Sequence, residues 1–480
     1  MKNLNISLVL LVLVTSMFYQ NLSDTSNNGS LNHVNQVLED EDQPDTQSSG
    51  TILYLPILKT VSSASVYGVE LPNLLPPPEQ GMVYVNNAKM YHLRKNGLLW
   101  SDVEPTVGAR NWYSGSAYNM ENELKYAAEQ GKKAILIVRR TPDWARTDPA
   151  LSCGRIKDDK IDEFANFLFD AVKRYSAAPY HLEYIEIWNE PDADPKDMLN
   201  TEDPFGCWGD KSDPYFGGKY YASVLKQVYP KIKAANPNIQ VVLGGLLMEC
   251  EPSKCVKGKY FEGILAGGGG PYFDIISFHS YDYYYGSTGV YQNLNWTSAW
   301  NTTGPTITNK ITEIRNTLNK YNIGQKPIFC TELALLCVNC NPDNIFETTK
   351  AYYVAQAYAV SIVQGLDSSV WYYLLDGWRN SGLLTSEYVP HPAYNAYLFS
   401  RQELGTSRSG RNVSQGQVFG YEINTRKGRV WVVWSKDGNN QTLVLPNTPF
   451  AGYDVYGNLI PVSQTMTVSI APVYIELDAP

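Results

Sequence analysis

Short apolar runs alternate with longer amphipathic segments along most of this chain. Ala134–Val138 and Gln240–Gly244 are apolar runs bounded by polar residues or by prolines and glycines, which is typical of strands buried on both faces. Lys157–Tyr175, which lies between them, carries apolar residues at the helical spacing. Because strand and helix patterns alternate without a long strand-only block, the sequence predicts an α/β fold.

The repeat continues through eight strand-and-helix units, which predicts a (β/α)8 barrel over residues 51–404. The predicted strands are Ser65–Val69, Met90–Leu93, Ala134–Val138, Tyr184–Trp188, Gln240–Gly244, Phe273–Phe278, a seventh in Pro327–Ala334 that ends in Glu332, and Ser369–Leu374. The predicted helices include Ala117–Gln130, Lys157–Tyr175, Tyr220–Ala235, Gly258–Ala266, Pro305–Asn322, Ile345–Gln364 and His391–Arg401.

The pattern changes after Glu403. Val418–Tyr421, Val430–Trp434, Thr442–Leu445 and Val468–Leu477 are short alternating runs separated by glycine, asparagine and proline. They predict a small antiparallel β domain, resembling a β-sandwich, over residues 405–480, which packs on the barrel because it is near the lower size limit for folding alone.

The amino-terminal residues differ from the rest in composition. Residues 1–19 combine a basic start with the apolar run Ile6–Phe18, too short for a comfortable membrane span, and predict a secretory signal peptide; an uncleaved membrane anchor is the alternative. Residues 20–50 are polar and poor in apolar side chains, which predicts a disordered linker. The sequence therefore predicts a secreted or cell-surface protein.

Two glutamates follow buried strands at distant points of the chain. Glu190 ends the run Tyr184–Trp188 just before a proline, and Glu332 ends the run that starts at Pro327. In a β/α barrel the carboxyl ends of the strands carry the chemistry. Two carboxylates in one cleft are what glycoside hydrolysis requires, one as acid and base and the other as nucleophile or base. The alternative is that Glu190 caps a helix and Glu332 is an ordinary loop acid, and Glu186 is interpreted as a satisfied interior carboxylate.

The motif Trp188-Asn189-Glu190-Pro191 on a fourth strand, joined to Thr331-Glu332 on a seventh, resembles glycoside hydrolase clan A, and within it families 39 and 5. The resemblance covers residues 64 to 404. It implies a retaining mechanism in which Glu190 is the general acid and base and Glu332 is the nucleophile. It also implies the following substrate-site residues: Asn189 on the sugar 2-hydroxyl, Tyr281 donating to the nucleophile, Trp371 under the reacting sugar, Arg94 holding Glu332 charged, and His279. A departure is that strand three ends in Arg139-Arg140 without a histidine.

The function predicted from these residues is a secreted retaining glycoside hydrolase that cleaves β-glycosidic bonds in a polysaccharide or oligosaccharide. A transglycosylase that uses the same residues and a non-catalytic carbohydrate-binding barrel are the alternatives. No metal and no cofactor is expected. The partner is a carbohydrate, which suits the 35 tyrosines and 11 tryptophans of the chain. The formal net charge of −9 and the lack of a basic cluster argue against nucleic-acid binding, and no stable membrane insertion is expected after signal cleavage.

Seven cysteines are informative in an exported chain. Three disulfides are predicted, Cys153 with Cys207, Cys250 with Cys255 and Cys337 with Cys340, all in loops on the catalytic face. Cys330 remains as a buried free thiol. A zinc site built from the last two pairs is the alternative.

Overall fold

The computed structural model describes residues 65–71, 78–195, 206–285, 296–298, 300, 302–338, 344–405, 407 and 409–479. Within these residues, eight parallel strands form a closed barrel. Continuous ladders join seven of the eight neighbouring pairs, and isolated parallel bridges, Val242 with Ile275 and Leu246 with Phe278, close the barrel between the fifth and sixth strands. The predicted fold class is confirmed.

The strands of the barrel sheet are β1 Tyr67–Leu71, β2 His92–Leu99, β3 Lys133–Arg139, β4 Tyr184–Asn189, β5 Gln240–Gly245, β6 Ile276–Tyr284, β7 Trp296–Ser298, β8 Ile328–Cys337 and β9 Ser368–Trp371. β7 is an antiparallel addition at the end of β6 and lies outside the barrel repeat. The helices are α1 Pro78–Asn87, α2 Trp100–Val103, α3 Gly115–Glu129, α4 Ile161–Tyr175, α5 Gly218–Ala235, α6 Tyr260–Ala266, α7 Ile307–Lys320, α8 Asn344–Val363 and α9 Pro392–Leu404.

The sixth and seventh barrel strands are longer than predicted. β6 continues to Tyr284 and β8 to Cys337, so Glu332 lies inside its strand and not at its end. The register of β6 against β8 shifts between Phe278 and His279, and that of β8 against β9 shifts between Cys330 and Leu333. Because a bulge re-aims a side chain without ending the strand, these two strands pass through the site and continue beyond it. A sequence pattern does not reveal such a shift.

An apolar cluster fills the amino-terminal end of the barrel interior. It contains Ile135 of β3, Val242 of β5, Ile275 before β6, Phe329 of β8 and Val370 of β9. On β6 and β8, the residues two positions further along are Ser277 and Thr331, so the interior there becomes more polar toward the carboxyl ends of the strands. The barrel is thus a packed core that supports a polar site at one end.

The C-terminal strands form a separate pair of sheets. They are β10 Gly410–Asn412, β11 Val418–Thr425, β12 Gly428–Ser435, β13 Gln441–Val444, β14 Ala451–Tyr453, β15 Thr465–Val468 and β16 Val473–Glu476. Five strands make one antiparallel sheet in the order β10-β11-β12-β16-β14, and β13 pairs with β15. Alternate residues of β12 divide between two cores: Trp431 and Val433 pack within this domain, whereas Val430 and Val432 join the core of the barrel. The predicted packing of this domain on the barrel is confirmed.

Two of the predicted disulfides are present among the described residues, Cys153 with Cys207 and Cys250 with Cys255, with Cα atoms 5.4 and 6.2 Å apart. Both separations are ordinary for a disulfide. Cys330 is a buried free thiol, as predicted. Cys340 lies outside the described residues, so its pairing with Cys337 stays a prediction. The predicted signal peptide and linker also lie outside them. No helix in the described part of the chain has the length and apolar character needed to span a membrane.

We expect the two disulfides to contribute unequally to stability. Cys153 and Cys207 are 54 residues apart and Cys250 and Cys255 are 5 apart. Because cross-linking a longer loop restricts the unfolded chain more, the double serine variant of the first pair should lose more free energy of unfolding, about 4 kcal/mol against about 2 kcal/mol for the second. Urea unfolding of both variants measures this. Equal losses would contradict the loop-entropy explanation.

Candidate active site

A cavity of about 570 Å³ opens at the carboxyl ends of the barrel strands. Its walls combine carboxylates, amides, an arginine and aromatic rings, which is the composition of a small-molecule site with a few polar groups that fix orientation. The lining residues are Glu70, Leu71, Asn96, Arg139, Asn189, Glu190, Leu247, Tyr281, Tyr283, Glu332, Tyr372, Tyr373 and Trp378. The structure therefore brings Glu190 and Glu332, predicted from distant parts of the sequence, into one cavity.

Glu190 lies where β4 leaves the sheet. The φ angles of Trp188 and Glu190 are +76° and +47°, an uncommon conformation for residues other than glycine. The backbone NH of Glu190 donates to the carbonyl of Gly245 at 3.0 Å, which holds this irregular strand end against β5. Trp188 is fully buried and packs against Trp208 with ring centroids 4.4 Å apart. Buried packing therefore maintains a backbone conformation that directs Glu190 into the cavity.

Glu332 receives two donors on its carboxyl group. Nη1 of Arg94 contacts Oε1, and the hydroxyl of Tyr281 donates to Oε2. Tyr281 lies on β6, two residues after His279, and β6 is the neighbour of β8. Hydrogen bonds to the charged form of a carboxyl group favour ionisation. The structure thus equips Glu332 to hold a negative charge.

Arg94 is buried and contacts four side chains. Its Nη1 is also 2.7 Å from Oε2 of Glu70, and its Nε is 2.8 Å from Oε2 of Glu186. Its Nη2 donates to the amide oxygen of Asn189 at 2.6 Å. One guanidinium therefore links β1, β2, β4 and β8, and it fixes the orientation of the Asn189 amide. Its contact with Glu332 was predicted, and its contacts with the other three were not.

Glu186 is the interior carboxylate that the sequence predicted. Besides Arg94, its Oε1 accepts from the backbone NH of Gly245 at 2.7 Å and from the hydroxyl of Ser277 at 3.0 Å. It does not line the cavity. Its hydrogen bonds are those of a structural residue.

His279 lies behind the two glutamates and not on the cavity surface. It is fully buried, with Nδ1 2.6 Å from Oε1 of Glu190 and 3.3 Å from Oε2 of Glu332. Burial, together with the charges of Arg94 and Lys310, lowers the pKa of His279 well below its ordinary value, so the ring is neutral. In this structure His279 contacts the carboxyl groups of the site, and its predicted place in the substrate-binding set stays a prediction.

The two cavity glutamates differ in electrostatic environment. Burial raises the pKa of Glu190 well above its ordinary value, and the charges of Glu332 and Asp192 raise it further. Burial also raises the pKa of Glu332, but Arg94 and the hydroxyl of Tyr281 oppose that rise. Because Glu332 has the stronger donors, it is the carboxyl group that ionises first, and its charge keeps Glu190 protonated.

The structure does not place Trp371 in the cavity. Trp371 is fully buried and its indole NH donates to the carbonyl of Ser381 at 2.9 Å, so the predicted position under a sugar is wrong. β9 ends at this residue, and the chain then supplies Tyr372, Tyr373 and Trp378 to the cavity. Trp378 is 44% exposed, and its ring meets those of Tyr281 and Tyr372 edge to face. The exposed aromatic face of the cavity therefore comes from the loop after β9.

The prediction also missed the polar wall at the first three strands. Glu70 is the last residue but one of β1, Asn96 lies on β2 and Arg139 ends β3. Nε of Arg139 donates to Oδ1 of Asn96, and all three residues line the cavity. Glu70 pairs in register with Arg94 of the adjacent strand. A single acid in the otherwise apolar run Tyr67–Leu71 is the signal that would have identified it.

Oxygen and nitrogen atoms of Glu190, His279 and Glu332 lie within 4.8 Å of one another. Such groups also occur at metal sites, but here the guanidinium of Arg94 supplies the positive charge beside Glu332. The arrangement presents one protonated and one ionised carboxyl group to the same cavity. It is therefore suited to transfer a proton to one atom of a ligand and to attack a neighbouring atom.

No family model and no curated protein sequence matches this chain. Solved structures do match. A family 39 glycoside hydrolase from Bacteroides cellulosilyticus WH2 has a TM-score of 0.65 at 18% identity, over 87% of this chain and 82% of that one. A family 30 endoxylanase from Clostridium papyrosolvens C71 has a TM-score of 0.55 at 13% identity, over 86% and 97%. A family 39 β-xylosidase from Caulobacter crescentus has a TM-score of 0.54 at 12% identity, over 86% and 96%. The fold of this chain is that of glycoside hydrolases of these two families, both in clan A, which confirms the predicted resemblance at the level of the fold.

We expect Arg94→Met to destabilise the protein by about 3–5 kcal/mol at neutral pH, because it leaves buried carboxylates without their cation. Arg94 opposes the burial that raises the pKa of Glu70 to about 8 and that raises the pKa of Glu332. Without it these pKa values rise further, and an acid whose folded pKa is raised stabilises the fold at low pH and less as the pH increases. The deficit against wild type should therefore grow from acidic to neutral pH in urea unfolding.

Arg110→Met is the matched control for this prediction. Arg110 pairs with buried Glu104 and with exposed Asp170 and is itself part-exposed. Glu104 keeps its hydrogen bonds from the indole NH of Trp100 and the backbone NH of Gly108 when Arg110 is lost, so we expect a smaller loss than for Arg94→Met. A similar loss in both variants, or a deficit that does not change with pH, would contradict the account of Arg94.

Proposed function

We propose that this protein is a retaining glycoside hydrolase that cleaves a β-glycosidic bond with Glu332 as nucleophile and Glu190 as general acid and base. The observation that carries the proposal is the pair of buried carboxyl groups in one cavity, with atoms within 4.8 Å of each other. Retaining glycosidases hold their two carboxyl groups about 5–5.5 Å apart, whereas inverting enzymes need about 6.5–9.5 Å to admit a water molecule. An oxygen of Glu190 and an oxygen of Glu332 that approach within 4.8 Å fit the shorter of these two spacings, which supports direct attack by Glu332.

In the first step Glu332 attacks the anomeric carbon while Glu190 gives its proton to the departing glycosidic oxygen. The C–O bond to the leaving group breaks as the bond to Glu332 forms, which produces a glycosyl-enzyme ester. Arg94 and Tyr281 hold the attacking carboxylate in its ionised form. The neutral ring of His279, 2.6 Å from Glu190, orients the carboxyl group that protonates the leaving group.

In the second step the ionised Glu190 takes a proton from water, and that water attacks the anomeric carbon and releases Glu332. The pKa of Glu190 falls when the charge of Glu332 is lost in the ester, so the same residue serves as acid and then as base. Asn189 directs its amide toward the sugar 2-hydroxyl, since Arg94 holds the amide oxygen. Trp378, which takes the role predicted for Trp371, is the platform for the sugar ring.

The substrate class follows from the fold neighbours and the cavity. The solved structures of similar fold are described as xylanases, β-xylosidases and a glucosidase, and we propose a β-glycan or β-glycoside for this chain. Secretion accords with the predicted signal peptide and with the two disulfides, which persist in oxidising compartments.

Glu190→Gln should abolish turnover of natural β-glycans, because an amide cannot protonate a leaving oxygen. General acid catalysis contributes about 10²–10⁴-fold. Aryl β-glycosides with good leaving groups need no acid, so their first step should continue and its rate should no longer fall at alkaline pH. Initial rates on both substrate types across a pH range measure this.

Glu183→Gln is the control for that prediction. Glu183 precedes β4 and pairs with Lys133 at the opposite end of the strand. It should leave both activities unchanged. If Glu190→Gln lost both activities equally, the acid role of Glu190 would be refuted.

The proposed mechanism predicts net retention at the anomeric carbon. Proton NMR of the first sugar released, recorded before mutarotation, should show the β-anomer from a β-linked substrate, since two displacements restore the configuration. The α-anomer would mean that water attacks directly, and Glu332 could not then be the nucleophile.

A further inference from the structure

We propose that Glu70 is a substrate-binding residue that hydrogen-bonds a ring hydroxyl of the sugar attacked by Glu332, and that it selects for sugars with a hydroxyl at that position. The inference rests on the proposed function and extends it to a residue that the two-step mechanism does not use. Glu70 lines the cavity at the end of β1, and its side chain is 1% exposed.

Only one of the two carboxyl oxygens of Glu70 has a hydrogen-bond partner among the described residues. Its Oε2 accepts from Nη1 of Arg94 at 2.7 Å, whereas its Oε1 is buried and has no hydrogen-bond partner among the described residues. Buried polar atoms are nearly always satisfied, so an orphaned oxygen in a cavity wall indicates a missing ligand. A sugar hydroxyl can donate and accept, and it can therefore satisfy Oε1 whether or not the carboxyl group is protonated.

Comparison with Glu186 separates this role from a structural one. Both glutamates contact Arg94, but Oε1 of Glu186 is saturated by Gly245 and Ser277 and the residue does not line the cavity. Arg94 also contacts Glu332, so Glu186 and Glu332 already exceed its single positive charge. Glu70 is therefore not needed to neutralise Arg94. Its distinguishing features are the unsatisfied oxygen and the position in the wall.

Glu70 is also close to the reacting groups. It shares one guanidinium nitrogen with Glu332, because Nη1 of Arg94 contacts both carboxyl groups. A sugar whose anomeric carbon meets Glu332 therefore has its ring within reach of the wall that contains Glu70, Asn96 and Arg139. Burial raises the pKa of Glu70 to about 8. At neutral pH the group is then mostly a carboxylic acid that donates through Oε1 to a hydroxyl oxygen.

The test measures kcat/KM for wild type, Glu70→Gln and Glu70→Ala. The substrates are an aryl β-xyloside, an aryl β-glucoside and analogues of each that lack one ring hydroxyl. We expect the loss of one particular hydroxyl to lower kcat/KM of wild type by about 10- to 100-fold. In Glu70→Ala that hydroxyl should no longer matter, while the effects of the other hydroxyls remain. Glutamine keeps the acceptor for Arg94 and puts an NH2 group in place of Oε1, so Glu70→Gln should retain most of the wild-type dependence.

Two results would overturn the inference. One is a Glu70→Ala variant that loses the same factor of kcat/KM on every analogue, which means that Glu70 acts only through Arg94. The other is a variant with wild-type kcat/KM throughout. Urea unfolding of both variants identifies any loss that comes from a damaged fold, and Glu70→Gln, which preserves the contact with Arg94, still reports on the role if Glu70→Ala does not fold.

Calorimetric titration with xylose and glucose distinguishes failure of this inference from failure of the proposed function. A wild type that binds one sugar but turns over no glycoside would refute the proposed hydrolysis and leave Glu70 to be judged by binding alone. In that case a Glu70→Ala variant with wild-type affinity, or a wild type with no affinity for either sugar, would refute the role of Glu70.

Discussion

The site depends on a shortage of positive charge. Arg94 is in contact with Glu70, Glu186 and Glu332, and Glu190 lies a few ångströms from the last of these. Removing a carboxylate from water costs several kcal/mol unless a cation and hydrogen bonds compensate. One guanidinium cannot keep four buried carboxyl groups ionised, so some of them must hold protons. The difference in protonation that glycoside hydrolysis needs is thus a consequence of how the barrel distributes one positive charge.

Local irregularities of the backbone decide which carboxyl groups lie against the guanidinium of Arg94. β8 has an extra residue after Cys330 relative to both of its neighbours, β6 and β9, and this bulge turns Glu332 toward Arg94. At the end of β4 the positive φ of Trp188 and Glu190 carries Glu190 out of the sheet, away from the guanidinium and toward His279. A regular strand would keep residues at fixed alternation. These departures are maintained by buried packing, such as that of Trp188 on Trp208.

The sequence predicted the elements well because their cause is local. The spacing of Ile161, Phe164 and Leu168 predicted α4, and each of these side chains is buried. The two cavity glutamates could also be predicted from the sequence. Each follows an apolar run that forms a barrel strand, and the carboxyl ends of all barrel strands meet at one face. Trp371 was assigned incorrectly because the sequence does not show where β9 ends. A shift of one residue along the strand decides whether an aromatic ring faces the cavity or the core. Glu70 was missed because the single acid in the apolar run Tyr67–Leu71 was not used as a signal. Its contact with Arg94 could not be predicted, because contacts between strands leave no periodic pattern in the sequence.

The absence of any sequence match beside clear matches of fold has a physical basis. A barrel core accepts many apolar residues of suitable volume, so identities as low as 12–18% still accompany TM-scores of 0.54–0.65. The polar site is stricter, but it contains few residues and hardly alters a comparison over the whole chain. Fold similarity therefore identifies the scaffold and not the substrate. The substrate is determined by residues in the cavity wall. In this chain that wall joins Glu70 and Asn96 with Arg139, which ends the strand where the sequence departs from the resembled clan by having no histidine. A sugar bound as proposed would meet a buried acid and a buried guanidinium on that side of its ring.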